Sequence, residues 1–533
     1  MAPTQEDAMD DNARDYELVT NAAGRLVPTR VNGRPVEPYQ GVYAHRPSGR
    51  TAAPPIPTCA QYPRDGNKVV ADLRTALQHC GLRDGMTVST HHHFRNGDVV
   101  ANQVFDLAAE MGVRGLRWFP SASFPCHEPV IRHMDSGVIH HIEGSLNGPL
   151  GEYCSRGKMA GMGVLRSHGG RYRAVQDGDV HIDIAVLAAP TADAFGNANG
   201  LYGPSACGPL GYTHADYRYA DRVIVVTDNL VEWPCHPWDI VGNHVDCVVV
   251  QGSVGNPDKI VSGTTEITTD PERLQMAETV ARFLDHAGLL HDGFNFQAGA
   301  GGTSLAFVKF LRDLLQEKGM RARAMSGGTT GFLVDILEEG MADYILDGQS
   351  FDLEAIRSLR DNPRHLAYDV MQAYNFHAKG NSTFMMDAIV LGATEVDVDF
   401  NANVVTHSDG KLLHGIGGWQ NSLFAQCTIL TIPALRRDTP MIRDRVTTLV
   451  GPGELVDVVV TERGIAINPR RTDLVEATAH SDLPIRPLRE IKEEAEDICG
   501  CTAPEAELTD RVVAVVEWVD GTVLDSIWQL PED

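Results

Sequence analysis

IDIAVLAAPTADAFGNANG at residues 182–200 and MDAIVLGATEVDVDFNANV at residues 386–404 align without a gap. Asp183 pairs with Asp387, Val186 with Val390, Leu187 with Leu391, Ala189 with Ala393 and Asp193 with Asp397. Asn197-Ala198-Asn199 falls opposite Asn401-Ala402-Asn403, and the offset is a constant 204 residues. At the same offset Gly211-Tyr212 meets Gly415-Ile416. Each copy carries a run that is apolar throughout, the pattern of a parallel strand covered on both faces. Each then reaches an Asn-Ala-Asn turn at the strand's end. The chain therefore reads as two related α/β domains with mostly parallel sheets. Ligands of such sheets bind beyond the carboxyl ends of the strands, and with two domains the natural site is the cleft between them.

The flanking sequence keeps the same rhythm. Between residues 66 and 290 the runs MTVSTH (86–91), VIHHIEG (138–144), GVLRSH (163–168) and RVIVVTD (222–228) alternate with helical stretches. Between 291 and 500, FNFQAGAGG, a helix over 303–317, RARAMSGGTT, a helix ending near Gly340, then YILDGQ, CTILTIP and DVVVTERGIAIN repeat it. Gly319 and Gly340 stand where helix C-caps belong. Residues 1–65 are rich in Pro, Gly, Asn and Arg without periodicity and read as an arm that packs on a neighbour. Residues 501–533 end in VVAVVEWVDGTVLDSIWQL, two runs about an Asp-Gly turn, which predicts a terminal hairpin.

At 533 residues, with 43% hydrophobic and 22% charged side chains, the chain has ordinary globular proportions and fills two or three cores. Its 45 basic and 71 acidic residues leave a formal charge of −26, which disfavours nucleic acid and anionic membrane as partners. An anionic substrate then needs a local basic or amide-lined pocket. The ten cysteines have no Cys-x-x-Cys spacing and are expected to be reduced and mostly buried. The first twenty residues are acidic, unlike a secretory or transit signal, and no run of eighteen apolar residues occurs. A cytoplasmic location is expected.

Four glycine-rich turns are candidates for chemistry: SHGGR (167–171), AGAGG (298–302), SGGTT (326–330) and GIGG (415–418). Each is either a tight strand-to-helix turn or a cradle of backbone amides at a helix N-terminus, suited to a carboxylate or a developing oxyanion. None continues as a phosphate-binding Gly-Lys-Ser/Thr, and AGAGG lacks the third glycine of a dinucleotide fingerprint. HHHFRNGD (91–98) places three histidines, Arg95 and Asn96 after a predicted strand. Adjacent histidines on a strand point to opposite faces, which weakens a metal reading. Arg95 and Asn96 meeting an anion, or a buried polar turn with satisfied ring nitrogens, are the alternatives. RSHGGR offers Arg166, His168 and Arg171, whose guanidinium forks either grip a carboxylate substrate or form structural ion pairs. No Gly-x-Ser-x-Gly elbow is present, which gives a serine hydrolase no support.

Taken in order, HHHFRNGD, RSHGGR, HIDIAVLAAPTADAFGNANG, GYTHADYRYADRVIVVTD, GFNFQAGAGGTSLAFVKFL, LEEG with YILDGQSFD, ATEVDVDFNANVVTHSDG and VVVTERGIAINPRR resemble the alpha subunit family of citrate lyase over about residues 35–500. The resemblance implies two domains of the CoA-transferase fold, over 66–290 and 291–500. It implies an acyl transfer in which citrate displaces acetate from an acyl-carrier-protein or CoA thioester. It further implies a beta subunit that cleaves the product and a gamma subunit bearing a CoA-like arm. No tightly bound cofactor or metal is implied, and a homo-oligomer is expected.

A carboxylate nucleophile is already ionised near about pH 7, so orientation and oxyanion donors are what the reaction asks of the protein. The candidates for that role are Gly301, Gly302, Gly328, Thr329, Gly417 and Gly418. Those for substrate contact are Arg95, Asn96, Arg166, His168, Gly169, Gly170, Asn197, Asn199, Asn401, Asn403, Trp419 and Asn421. Related CoA-transferases form an anhydride on a glutamate. Gly327 to Thr330 stand at the corresponding place here, in keeping with direct transfer in a ternary complex, and no motif motivates Glu266 or Glu395 for a covalent role.

One departure stands out. The family usually reads Gly-Gly-His-x-Asp, and this chain reads GIGGWQNSLF, with Trp419 and Asn421 in place of the titratable pair. The change removes acid–base capacity and narrows a pocket, or it is a drift in a structural turn. It leaves two alternatives open, a stand-alone CoA-transferase or thioester hydrolase for another acid, and a degenerate scaffold of a lyase complex.

Overall fold

Each apolar run of the first half forms a strand, and all of them join one ten-stranded sheet. The computed structural model describes residues 16–45, 63–259, 266–299, 301–378 and 381–532. In the first half the strands are β1 (Val69–Val70), β2 (Thr87–Thr90), β3 (Leu116–Pro120), β4 (Ile139–Gly144), β5 (Gly163–Leu165), β6 (Ile184–Ala189), β7 (Arg222–Thr227) and β8 (Cys247–Val250). They lie in the order β5-β4-β3-β2-β6-β7-β8-β1, all parallel. Every residue of β6 is buried, as an apolar run covered on both faces requires.

The second half builds an eight-stranded sheet from β9 (Asn295–Ala298), β10 (Ala322–Gly327), β11 (Ala342–Asp347), β12 (His365–Ala367), β13 (Ala388–Gly392), β14 (Thr428–Thr431), β15 (Val458–Thr461) and β16 (Gly464–Ile467). Its order is β12-β11-β10-β9-β13-β14-β15-β16, with only β16 antiparallel. The strand order thus reverses between β2 and β6 in one half and between β9 and β13 in the other. Five helices matter below: α1 (His168–Gln176), α2 (Gly302–Lys318), α3 (Gly331–Glu338), α4 (Val370–Tyr374) and α5 (Leu488–Cys499). Gly319, left-handed at φ 63°, caps α2, and Gly340 at φ 81° follows α3.

The duplicated motif is a hydrogen-bonded turn built twice. Asp193 Oδ1 accepts the amides of Phe195, Gly196 and Asn197, while its Oδ2 accepts Asn197 Nδ2 at 2.8 Å and the Cys235 amide at 2.8 Å. Asp397 Oδ1 accepts the amides of Asp399 and Asn401, and its Oδ2 accepts Asn401 Nδ2 at 3.1 Å and the Val446 amide at 3.3 Å. Asn197 and Asn401 each accept one further amide, from Gly242 and Gly453, both at 2.9 Å. A buried carboxylate and an amide, buried at Asn197 and half-buried at Asn401, satisfied in this way hold each turn against its own sheet.

The predicted C-terminal hairpin forms as β17 (Val512–Glu517) and β18 (Val523–Trp528). It does not stand apart: β17 pairs in parallel with β5, so residues beyond 500 extend the first sheet. Within the arm, Asn21 Nδ2 donates to the carbonyls of Val523 and Leu524, and Tyr39 meets the Trp518 ring at 6.0 Å. Residues 16–45 therefore pack on the hairpin of their own chain, while the rest of the arm, 1–15 and 46–62, lies outside the described residues. One core of buried side chains runs without a break from Trp118 and Phe119 in the first half to Ile389, Val396 and Leu430 in the second. No described helix is long and apolar enough to cross a membrane.

Candidate active site

The carboxyl ends of the two sheets face each other across a polar seam. The segment after β2 supplies His92. Ser121 Oγ lies 2.6 Å from its Nδ1, and Gln349 Oε1, after β11 of the other half, lies 3.1 Å from its Nε2. A neutral imidazole satisfies both contacts, donating from Nε2 and accepting at Nδ1. His92 stacks on Tyr212 at 4.7 Å and on His168 at 5.1 Å, and His168 and Tyr212 lie 4.3 Å apart. Arg95, 5% exposed, sets its guanidinium 4.3 Å from the centre of the Phe351 ring and 5.5 Å from that of Phe124. Its left-handed φ of 51° is uncommon for a side-chain-bearing residue. The Phe351 amide donates to Thr329 O at 2.8 Å, which brings the SGGTT turn alongside. The hydroxyls of Thr329 and Thr330 are buried and have no hydrogen-bond partner among the described residues.

Helix α1 begins at the centre of the seam. Ser167 Oγ accepts the Gly170 amide as the N-cap, and the next two amides cross between the halves. His168 N donates to Gly417 O at 2.8 Å, and Gly169 N donates to Asn421 Oδ1 at 3.0 Å. Asn421 Nδ2 in turn donates to Tyr374 O at 3.1 Å, and Gln297 Nε2 donates to Ser422 Oγ at 2.8 Å. Asn421 uses both ends of its amide, whereas an ionised aspartate here has no proton for the Tyr374 carbonyl. The Trp419 indole donates to Gly392 O at the end of β13, 2.8 Å away. Both departures from the family pattern are thus held in the seam by specific hydrogen bonds. His168, Tyr212, Tyr374, Gly417 and Gly418 stay partly open to solvent and form the floor of the cleft. At one edge a cavity of about 620 Å³ opens, lined among others by His214, Trp238, Asp239, Arg360 and Tyr368.

Burial dominates the electrostatics. It drives the pKa of His168 down to about 3, with the Arg171 charge adding to the effect. Burial, together with their neighbours' charges, holds His92 and His93 well below the ordinary histidine value. For His91 burial also prevails, against the opposing pull of Asp98. Burial lowers Arg95 to about 10, so it remains cationic at neutral pH, and lifts Asp239 to about 6. The seam thus presents neutral imidazoles beside the Arg95 guanidinium, while the Arg171 guanidinium is paired with Asp216. We expect kcat/KM for acyl exchange to show no histidine inflection between about pH 5 and 8. An ascending limb near an ordinary histidine pKa in a pH–rate profile would contradict this.

Several predicted site residues lie elsewhere or are already engaged. Arg166 does not face the cleft: it bridges Glu143 at 2.5 Å and Glu517 at 2.9 Å, the structural ion-pair alternative. Asn96 Oδ1 accepts the Cys126 amide at 2.9 Å. Asn197 and Asn401 hold the duplicated turns, Asn199 donates to Pro237 O, and Asn403 donates to Glu395 and Thr406, so these four amides serve their own half. Glu395 is fully buried against Arg443 and Thr447. The Gly328 amide donates to Ala298 O at 3.2 Å, which takes it out of use as an oxyanion donor. Gly301 and Gly302 open α2, whose first-turn amides have no acceptor inside the helix.

Beyond the sequence candidates, the seam brings in Tyr212, Gln349, Tyr374 and Gln297. The sequence signals for Tyr212 were its place in the repeat and in the GYTHADYRYADRVIVVTD motif of the family resemblance. Gln349 lies in the YILDGQSFD motif of the family resemblance and follows a strand, but nothing in that motif marked it as a partner of His92. Among the described residues one trio, His181, Asp183 and Asp221, has metal-ligating atoms close together, but it sits at the amino ends of β6 and β7, away from the seam.

The family model for the alpha subunit of citrate lyase matches residues 66–530. The citrate lyase alpha chain of Klebsiella pneumoniae is 40% identical over 495 residues, 92% of this chain and 96% of that one. Its counterpart from Escherichia coli is 40% identical over 475 residues, 89% and 93% of the two chains. A crystal structure described as the alpha subunit of citrate lyase from Streptococcus mutans in complex with citrate superposes with a TM-score of 0.89 at 38% identity, covering 96% of this chain and all of that one. A malonate decarboxylase hetero-tetramer from Pseudomonas shares the fold at 17% identity and a TM-score of 0.57, covering 82% of this chain and 89% of that one. The chain belongs to the citrate lyase alpha subunit family.

Proposed function

We propose that this chain exchanges acetate for citrate on an acyl thioester, as the transferase subunit of a citrate lyase. The observation that carries the reading is the likeness, at a TM-score of 0.89, to a Streptococcus mutans structure described as holding citrate. A citrate carboxylate adds to the acetyl carbonyl and expels the thiolate, leaving a mixed anhydride. The thiolate then attacks the citryl carbonyl of the anhydride and acetate departs. No step needs a proton from a side chain, which suits a cleft whose histidines are neutral. Arg95 supplies the positive charge for the tricarboxylate. The free hydroxyls of Thr329 and Thr330, the first-turn amides of α2 and the amides of Gly417 and Gly418 are candidate donors for a developing oxyanion. Trp419 and Asn421 give no reason to prefer another acid, because both side chains are held within the seam.

The thioester arm is CoA or the CoA-like group of a carrier subunit, entering by the cavity beside His214 and Trp238. A cleaving beta subunit, a gamma carrier, a cytoplasmic setting and a homo-oligomeric assembly complete the proposal. The test is thioester exchange followed by mass spectrometry, with acetyl-CoA or acetylated carrier as donor and a panel of carboxylic acids as acceptors. Citryl thioester with stoichiometric acetate is expected, and formation of a different acyl thioester, or of none from either donor, overturns the proposal. Arg95→Ala is expected to lower kcat/KM for citrate by about 10- to 100-fold, chiefly through KM, while the protein stays folded. Unchanged citrate kinetics in the folded variant would remove Arg95 from the site.

A further inference from the structure

Helix α5 ends on a pair of thiols that the exchange reaction does not use. Cys499 is its last residue, and Gly500 follows in the left-handed conformation at φ 67°. Only glycine enters that region without penalty, and the turn it makes folds the chain back on itself. Cys501 Sγ is thereby brought to 3.1 Å from Cys499 Sγ. Cys501 is exposed and Cys499 half-buried. Of the seven other described cysteines, six are buried and Cys126 is half-buried. Burial shields six of those seven thiols from reagents, so among the described residues the Cys-Gly-Cys pair holds the one exposed thiol, Cys501.

We propose that Cys499 and Cys501 form a dithiol that closes to an intrachain disulfide by exchange with small-molecule disulfides. One thiolate attacks a sulfur of the oxidant RSSR, releasing RS⁻ and leaving a mixed disulfide on the protein. The second cysteine then attacks that protein sulfur, and the second RS⁻ leaves. Two electrons pass to the oxidant and the protein loses two protons, so a dithiol and RSSR become one disulfide and two RSH.

The surroundings shape the kinetics of this exchange. Cys499 Sγ donates toward Glu496 O at 3.5 Å and Cys501 Sγ toward Asp438 O at 3.6 Å, and both thiols sit at the negative end of a helix. The neighbouring Cys499 thiol favours the Cys501 thiol over its thiolate, which slows attack by that sulfur. Once a mixed disulfide forms, the second sulfur is already in van der Waals contact, so closure outruns attack by a further molecule of oxidant. Closure brings the sulfurs to about 2.05 Å. It also releases the Asp438 carbonyl at the point where the chain leaves the second domain for β17.

The test treats the folded full-length chain with oxidised glutathione, then alkylates under denaturing conditions and digests with trypsin. Both cysteines fall in the peptide 493–511. The expected product carries neither alkyl group nor glutathione and is lighter than the reduced peptide by two hydrogens. It forms at least about tenfold faster than Cys126 is modified and reverts with dithiothreitol. Cys499→Ser and Cys501→Ser, both at the surface turn, should each stop at a stable glutathione adduct on the remaining cysteine. Alkylation of both cysteines after oxidation, or a persistent glutathione adduct in the unsubstituted chain, would overturn the proposal.

Discussion

Alanine at position 169 should lower acyl exchange by about 100-fold or more and destabilise the chain by about 1–3 kcal/mol, because the seam has no room for one methyl group. A Cβ on Gly169 would drive into the Tyr374 carbonyl and lie 2.6 Å from Asn421 Nδ2. Neither neighbour yields easily. The carbonyl is backbone and already accepts from Asn421, and the Asn421 side chain is fixed by the Gly169 amide at its other end. Helix α1 cannot retreat instead, since the bond from His168 N to Gly417 O would lengthen with it. The displacement therefore appears at Gly417, Gly418 and Tyr374, which form the floor of the cleft. Thermal unfolding together with the exchange assay checks this, with Gly252→Ala as the control, because nothing lies within 4 Å of a Cβ built there. A Gly169→Ala protein that melts and turns over like the parent would mean that the Tyr374 carbonyl gives way and that the seam does not position the chemistry.

The features that were legible in the sequence are those with local causes. Parallel strands covered on both faces must be apolar throughout, so β6 and β13 declared themselves, and in the Asp-x-x-x-Asn turn after each the aspartate Oδ1 accepts only amides at most four residues away. The seam has no such signature. His92 meets Gln349 across 257 positions of chain, and Gly169 meets Asn421 across 252. No periodicity marks partners so far apart. The same blindness explains the misplaced candidates. A buried asparagine that closes a turn and one that grips a substrate use the same chemistry, so Asn197, Asn199, Asn401 and Asn403 looked functional. Arg166 looked like a carboxylate grip because its carboxylates belong to the protein, one of them 351 residues downstream at Glu517. The parallel pairing of β17 with β5 was equally invisible, since a hairpin's own residues determine its turn but not the edge it joins.

That ion cluster yields the largest stability effect to be expected. Glu143 is fully buried on β4, with Arg166 at 2.5 Å, Arg34 at 2.7 Å, His141 at 3.0 Å and Arg117 at 3.2 Å. Arg166 also reaches Glu517 on β17, which receives Arg173 of α1 at 3.0 Å, so the cluster ties the terminal hairpin to the first sheet. Glu143→Gln keeps the shape but removes the charge, leaving buried guanidiniums short of a counter-ion, and should cost about 3–5 kcal/mol in chemical denaturation.

The pH dependence separates this effect from mere loss of packing. Burial pushes the Glu143 pKa up, but Arg166 foremost, with His141 and Arg117, holds it well below the ordinary 4.5. Its contribution to stability is thus fully present above about 4.5 and is lost as pH falls through the lower folded value. The desolvated histidines of the seam, His92, His93 and the partly open His168, act from a higher pH. Their folded pKa values lie below the ordinary 6.5, so the stability gained by keeping them neutral is complete above 6.5 and declines as pH falls toward the folded values. The parent should therefore lose stability in acid progressively from about pH 6.5 downward, and Glu143→Gln should lessen the loss below about pH 4.5 while leaving the loss above it unchanged. Equal stability of variant and parent at neutral pH, or the same slope below about pH 4.5, would show that desolvation cancels the attraction in this cluster and that hydrophobic packing of β17 on β5 alone holds the hairpin in place.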